Sequence, residues 1–314
     1  MGTASAAPRV SVVVPTWNRR ALLGRALAAV EAQEFRDFEV IVVDDASTDG
    51  TAEWLRARRP HVRLIASPAR VGAAAARNLA LERARGELVA FLDDDDDDVW
   101  RPRYLSAQAA HLDANPAATL SYADHVEIDS DGRSTRPDTG AVVPHASPLV
   151  RLLAESHIHT LSVVVCRREA LQRFGPLDEQ LSIVHDLEWY ARLVAAGLGV
   201  IRLPRLLAER QVPGGLVSAH RDWFREERAV HEAIFARQRL NRAERRMIRT
   251  YRALFFARIA LGKGDLAFGL PRLGEAAWSS PRWTVEVAAR RALRRAHVGR
   301  RSAQEIRASP AEAG

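Results

Sequence analysis

Six consecutive aspartates, Asp93–Asp98, form the densest cluster of reactive side chains in the sequence. Carboxylates this close raise one another's pKa, so such a run is costly in a compact place unless solvent or a cation offsets it. Taken alone, it reads as a solvated acidic loop. Its position changes that reading, because it follows directly on Glu87–Leu92 (ELVAFL), an apolar segment suited to a buried strand. The first aspartates must then emerge where that strand ends. Hard carboxylate oxygens there suit Mg2+ or Mn2+, and such an ion can bridge the oxygens of a diphosphate and neutralise a leaving group. A second acidic pair, Asp44 and Asp45, ends another apolar run and is followed by Ser47, Thr48 and Asp49. Turn formation and helix capping account for Ser47 and Asp49. A carboxylate at a strand end can also accept hydrogen bonds from a base or ribose. Pro15-Thr16-Trp17-Asn18-Arg19 closes the first apolar run, with Trp17 either buried or flanking a base.

The elements that must hold these residues follow from the apolar pattern. Val10–Val14, Phe38–Val43, Val62–Ala66 and Glu87–Leu92 are predicted strands, alternating with helices over Arg20–Gln33, Ser47–Arg59 and Gly72–Arg85. This alternation over about 90 residues predicts an α/β fold with a mostly parallel sheet flanked by helices. Ligands of such sheets bind beyond the carboxyl ends of the strands, where the polar clusters fall. Further along, a helix is expected over Pro102–Leu112 and strands over Leu120–Ile128, Ser162–Cys166 and Gly199–Leu203. Asp129–Pro148 is expected to be a loop, and Arg168–Phe174 and Asp186–Ala196 are expected to be helices. From about Arg221 the pattern turns helical: Arg221–Arg239, Arg242–Leu261, Asp265–Ala277 and Trp283–Ala296.

Composition narrows the classes of function. The 314 residues carry a formal net charge of +7, with 46 Lys+Arg against 39 Asp+Glu. Residues 221–314 hold about +11 of it, leaving about −4 for residues 1–220. An acidic front half argues against nucleic acid as a partner, since phosphate backbones need a basic surface. The single Cys166 excludes an intrachain disulfide and fits a reducing compartment. It sits in an apolar strand, where packing is the expected role. No apolar run approaches the roughly 20 residues of a spanning helix, and the start, MGTASAAPRV, carries no secretory pattern. The expected location is the cytoplasm, with the inner face of the plasma membrane as a peripheral option. Trp278, Trp283 and the arginines from Arg290 to Arg301 suggest an amphipathic basic helix. It would pack on the rest of the chain, on a second subunit as a homodimer, or on a membrane surface. His157 and His159 flank Ile158 and fall on one side if that stretch is extended. Lining a ligand cleft suits them better than binding a metal.

Four ordered segments, VVVPTWNR, VIVVDDASTDGT, RVGAAAARNLAL…GELVAFLDDDD and SVVVCRREALQRFGPLDEQLSIVHDLEWYARLVAAG, resemble the successive signatures of family 2 glycosyltransferases. The resemblance runs through residues 10–220. It implies a GT-A fold, a Rossmann-like sheet flanked by helices with a C-terminal helical appendage. Residues 1–9 would be a disordered tail, 10–220 the catalytic domain (10–100 binding the nucleotide sugar, 101–220 the acceptor half), and 221–314 a helical basic region. The implied donor is a nucleoside diphosphate sugar, most often UDP-linked. The implied acceptor is a hydroxyl in a glycan, polysaccharide or glycolipid, including lipid-linked ones. Pro15, Thr16, Asn18 and Asp45 fall where the family contacts the nucleoside, with Asp44 beside them. Arg77 and Asn78 match the element beneath the nucleotide. Asp93 and Asp95 match the DxD pair, the first toward ribose or sugar and the last toward Mn2+ or Mg2+. Asp186 matches the general base of an inverting displacement, and Arg210 falls near a basic position facing the diphosphate.

The residues themselves agree with this chemistry. A base must lie within about 3 Å of the hydroxyl it activates, and a helix start favours the ionised form of Asp186. An ordinary N-cap is the bland alternative, and Glu188 is a fallback base. Two departures stand out. Asp93 to Trp100 is longer than usual by about two residues, so Asp95 with Asp97 or Asp98 is an alternative metal pair. His185-Asp186 replaces the Glu-Asp of many relatives. A nucleotidyltransferase would carry a glycine-rich phosphate loop near the first strand, and PTWNRR has none. A non-catalytic partner protein would have no need of Asp93, Asp95 and Asp186 together.

Overall fold

The structure, a computed structural model, describes residues 7–94, 99–128, 134–135, 146–211, 220–281 and 284–285. Asp95, Asp97 and Asp98, most of the 129–148 segment, and nearly all of the expected helix at 283–296 lie outside these, as do residues 1–6 of the expected tail. The chain divides into two compact units. One comprises Met1–Thr139 and Ser156–Ile234, the other Gly140–Glu155 and Phe235–Gly314.

The first unit is built on one nine-stranded sheet. Strands β1 (Val10–Thr16), β2 (Phe38–Asp44), β3 (Arg63–Ala66) and β4 (Leu88–Phe91) lie in the order β3-β2-β1-β4 and are all parallel. Helices α1 (Arg20–Glu31), α2 (Thr51–Arg58) and α3 (Ala73–Leu81) make the crossovers. β5 is Val99–Trp100, followed by α4 (Tyr104–Ala114), then β6 (Ala118–Ile128) and β7 (Ser134–Thr135). β8 (Val164–Arg167) runs antiparallel between β4 and β6, and β9 (Gly199–Gln211) runs parallel to β6 before pairing β5. Mixed α/β with a mostly parallel sheet is therefore the architecture, as expected. Apolar runs explain it: Val12, Val13, Val14, Ile41, Val42, Val43 and Phe91 are all fully buried, as strands covered on both faces require.

Boundaries differ from the sequence reading in instructive places. β1 and β2 run on to Thr16 and Asp44, because the parallel ladder pairs Pro15 with Val43 and Thr16 with Asp44. α2 starts at Thr51 rather than Ser47, since 45–50 form the turn that the Asp and Ser side chains brace. Leu161–Val163 is a 3-10 turn before β8, started by Thr160 accepting from the Ser162 amide. β9 extends eight residues past the expected Leu203, carried by its long pairing with β6. Helix α5 (Pro148–Glu155) begins where only a loop was expected, its apolar Leu149, Val150, Leu152 and Leu153 buried.

Gly86 sits where the turn into β4 crosses β1. A Cβ there would lie 2.5 Å from the Ser11 amide nitrogen and 2.8 Å from the Leu88 carbonyl oxygen, so only glycine fits. Cys166 is buried at the sheet's centre, facing Val89 of β4 on one side and Leu120 of β6 on the other. Burial pushes its thiol pKa up.

α6 (Arg168–Phe174) and α7 (His185–Ala195) belong to the first unit, and α8 (His220–Arg237) does so through Ile234. The second unit contains α5, α9 (Arg242–Gly262) and α10 (Leu266–Ser279). α9 begins with a capping box between Asn241 and Glu244. α9 and α10 form an antiparallel hairpin in which the Arg246 guanidinium donates to the Ser279 carbonyl. Among the described residues, no helix is long and apolar enough to cross a membrane.

Candidate active site

Three chain segments converge at the carboxyl ends of β1, β2 and β4. At the first two, backbone geometry is set by short-range hydrogen bonds. Asn18 adopts φ 52° and Ala46 φ 60°, left-handed conformations that asparagine tolerates better than alanine. The Asn18 carboxamide oxygen accepts from the Thr48 amide at 2.7 Å, and the Asn18 amide donates to Ser47 Oγ at 2.8 Å. Asp44 Oδ1 accepts from the Ser47 amide. Both oxygens of Asp45 accept backbone amides, from Val71 at 2.6 Å and Gly72 at 2.9 Å, binding the β2 turn to the start of α3. Asp49 accepts from the Arg20 and Thr51 amides, so one side chain serves the starts of α1 and α2. Thr16 is buried, and its hydroxyl has no partner among the described residues. Trp17 is not a core residue: it is 39% exposed, with the Arg70 guanidinium 3.6 Å above its ring.

At the end of β4, the Asp93 backbone amide donates to Ser162 Oγ at 2.9 Å. Ser162 in turn accepts the Trp100 indole N–H through its carbonyl, at 2.6 Å. The Asp93 carboxylate takes a hydrogen bond from Arg77 Nη2 on its Oδ1. Arg77, on α3, is 5% exposed, and its Nη1 lies 2.9 Å from His185 Nε2. Since a guanidinium can only donate, His185 Nε2 accepts and the ring is neutral. Burial, and then the Arg77 charge, hold its pKa down at about 3.

His185 opens α7, and Asp186 follows it in the first turn. Asp186 is therefore not the N-cap. That position is Val184, with no side-chain cap. Burial lifts the Asp186 carboxyl to about 6, against the pull of the Leu187 amide, which donates to Oδ1 at 2.7 Å, and of Arg77, while Asp93 pushes it further up. Charges just past β4, on α3 and on α7 are thus within electrostatic reach of one another, although residues 93 and 186 are far apart in sequence. α7 is held to β4 by Trp189, fully buried and edge-on to Phe91 at 6.1 Å.

Two supports were not legible in the sequence. Glu226 of α8 accepts the amides of Ser182, Ile183 and Val184 at 3.1, 2.6 and 2.8 Å, the three residues before α7. Nothing in the local pattern singles it out among the charges of that helix. Asn78, expected beneath the nucleotide, spends its amide on the loop before α7: Nδ2 donates to the Leu177 carbonyl and to Glu179, and Oδ1 accepts the Leu177 amide. Its chemistry here is positional.

Arg210 lies on β9 opposite Glu127 of β6, at 3.8 Å, one residue past Glu209, the partner of Val99 that follows the aspartate run. His125 and His159 join this group, their rings 5.8 Å apart. Burial pushes His159 down to about 4, and its Nε2 has no partner among the described residues. His157 faces Tyr122 at 5.8 Å. Among the described residues, no three His, Cys, Asp or Glu side chains are grouped to hold a metal. The residues at the end of β4 nevertheless fit a divalent ion of the Mg2+ type, which takes one or two protein carboxylates and completes its shell with phosphate oxygens and water. Asp93 supplies such an oxygen, with Asp94, 3.5 Å from Arg19, beside it.

The model of the family described as "Glycosyl transferase family 2" matches residues 11–175. TuaG of Bacillus subtilis (strain 168), named for teichuronic acid biosynthesis, is 31% identical over 237 residues, covering 71% of this chain and 90% of that protein. The succinoglycan biosynthesis protein ExoO of Rhizobium meliloti (strain 1021) is 39% identical over 201 residues, 60% of this chain and 57% of that one. Against the longer poly(ribitol-phosphate) beta-N-acetylglucosaminyltransferase TarS of Staphylococcus aureus (strain Mu50 / ATCC 700699), the match spans 31% of that protein's length. Among solved structures, S. aureus TarS 1-349 in complex with UDP-GlcNAc superposes with a TM-score of 0.62 at 23% identity, covering 88% of this chain and 80% of that one. The mannosyltransferase PcManGT from Pyrobaculum calidifontis, in complex with GDP-Man and Mn2+, gives 0.61 at 22% identity, over 92% and 81%. These two likenesses speak for the fold.

Proposed function

The chain belongs to glycosyl transferase family 2 and is a glycosyltransferase, and from that premise we propose that it moves a sugar, with inversion, from a UDP-linked donor to a hydroxyl of a glycan, polysaccharide or glycolipid precursor. The observation that carries the reading is the convergence of Asp186, Arg77 and Asp93 from three separate elements. The relatives named for polysaccharide biosynthesis and the TarS complex with UDP-GlcNAc support the acceptor class and the nucleotide.

Asp186 acts as the base. It takes the proton from the acceptor hydroxyl as that oxygen forms its bond to the anomeric carbon, and the bond to the diphosphate breaks on the opposite face. A single displacement needs no covalent intermediate. Its raised pKa near 6 places the carboxylate in the range where a base is both ionised and strong. Thr16, Asn18, Asp44 and Asp45 frame the nucleoside end, with Pro15 closing the strand and Trp17 offering its ring face. Asp93, with Asp95 beyond the described residues, would hold Mn2+ or Mg2+. That ion supplies charge neutralisation on the departing diphosphate. Arg77 orients Asp93, and Arg210, on the strand that pairs with Val99, would serve the diphosphate.

A panel of UDP-, dTDP- and GDP-sugars, scored by thermal shift with and without Mn2+, tests this. A donor that binds the folded chain must raise its melting temperature. We expect a UDP-sugar to do so most strongly when Mn2+ is present. No shift with any donor in either condition would overturn the assignment.

A further inference from the structure

We infer that the exposed face of α10 rests on the surface of an anionic lipid bilayer. At helical spacing, Leu266, Leu270, Leu273, Ala277 and Trp278 fall on one side of α10. Leu266 is 57% exposed, Leu270 55% and Trp278 90%. The other exposed positions of the helix, Ala267, Pro271 and Gly274, are uncharged too. The two charged side chains of α10, Arg272 and Glu275, pair with each other at 3.4 Å and are only partly exposed. The opposite side is committed to the hairpin, where Gly269 lets α10 approach Leu261 so closely that a Cβ would meet it at 2.7 Å. A helix that turns leucines and a tryptophan outward, without one charge among them, is not built for water.

Charge decides what covers it. On α9 and its C-cap, the other arm of the hairpin, the exposed charged side chains are Arg242, Arg246, Arg249, Arg258 and Lys263, and none is acidic. Residues 235–314 together carry a net +12. A second copy of the chain would bring that same charge against itself. Nucleic acid would answer the charge but has no use for an apolar face. An anionic bilayer answers both, taking leucine and tryptophan into the headgroup boundary while acidic lipids meet the arginines.

Flotation of the full chain with vesicles is the test. One set would be phosphatidylcholine alone and the other would include one-third phosphatidylglycerol. Leu270→Glu and Trp278→Glu change exposed positions only, and a thermal melt checks that each still folds. We expect binding to the anionic vesicles, weakened by high salt, and at least about a tenfold loss of it in each variant, as removal of one buried apolar side chain predicts. Equal binding by wild type and both variants would overturn the inference, as would no binding at all. So would a wild-type dimer, seen by light scattering without lipid, that the variants turn into monomer, because a second copy would then cover the face. No donor is present in these measurements, so their failure leaves the transferase reading standing.

Discussion

Asp186 carries opposing demands. Folding moves its carboxyl from an ordinary 3.8 up to about 6. Between those values the native state holds more protons than the unfolded chain, so stability falls as pH rises through that window and the full penalty remains at neutral pH. Replacing it removes the penalty together with the proposed base. We expect Asp186→Asn to keep donor binding by thermal shift and to lose about 10²–10⁴-fold in kcat. The same variant should gain on the order of 1–3 kcal/mol in stability at pH 7 by denaturant titration, without the wild type's decline between about pH 4 and pH 6. Wild-type turnover should rise with pH through about 6 and then level. A turnover that ignores the substitution would take Asp186 out of the reaction. His185 fits the same picture. A second carboxylate at that position would face Asp93 and Asp186, whereas the neutral ring simply accepts from Arg77.

At the scale of elements, the site depends on how α7 is aimed. Three amides ahead of it converge on the Glu226 carboxylate, an anion held in a backbone nest. Glu226→Ala should lower kcat while leaving donor affinity unchanged, and Glu226→Gln, which keeps an accepting oxygen, should restore part of it. A loss of donor binding parallel to kcat would mean that Glu226 only supports the fold. Gly86→Ala should cost more than about 2 kcal/mol, because the atoms in its way are backbone and cannot swing aside. A chemical melt within a few tenths of a kcal/mol of wild type would contradict that close approach. The parallel half of the sheet was legible in the sequence because its strands are built on short apolar runs that give way to polar residues at Thr16, Asp44–Asp45 and Asp93. α5 escaped because its apolar residues sit just past a stretch rich in Asp, Gly and Pro, which masks the period. Glu226 and the Asn78 clamp escaped for another reason. Asn78 acts on a backbone amide 99 residues away and Glu226 on amides 42–44 residues away, and no local spacing encodes such a partner.

For the molecule as a whole, charge and chain order tell a consistent story. The acidic share lies in the residues that hold the candidate site, and the basic share follows it. Glu39, at the other end of the sheet from the strand-end carboxylates, is structural, accepting from Ser11 Oγ, the Arg63 guanidinium and the Arg85 amide. Burial would raise its pKa, but the Arg85 amide, Ser11 and Arg63 outweigh that and hold it below the usual range. Its contribution to stability is present above pH 4.5 and is lost as pH falls through the lowered value, the reverse of Asp186.

The lone sulfur of the chain has a practical use. It lies on β8, the strand that stitches the parallel half of the sheet to the mixed half, closed off from solvent on both sides. A disulfide reagent such as Ellman's compound should therefore stay colourless on the native protein and develop only as that seam parts. The rate of colour would act as a clock on global opening, slowed by any donor that grips the folded form. Instant reaction under native conditions would show that the seam breathes far more freely than its packing implies.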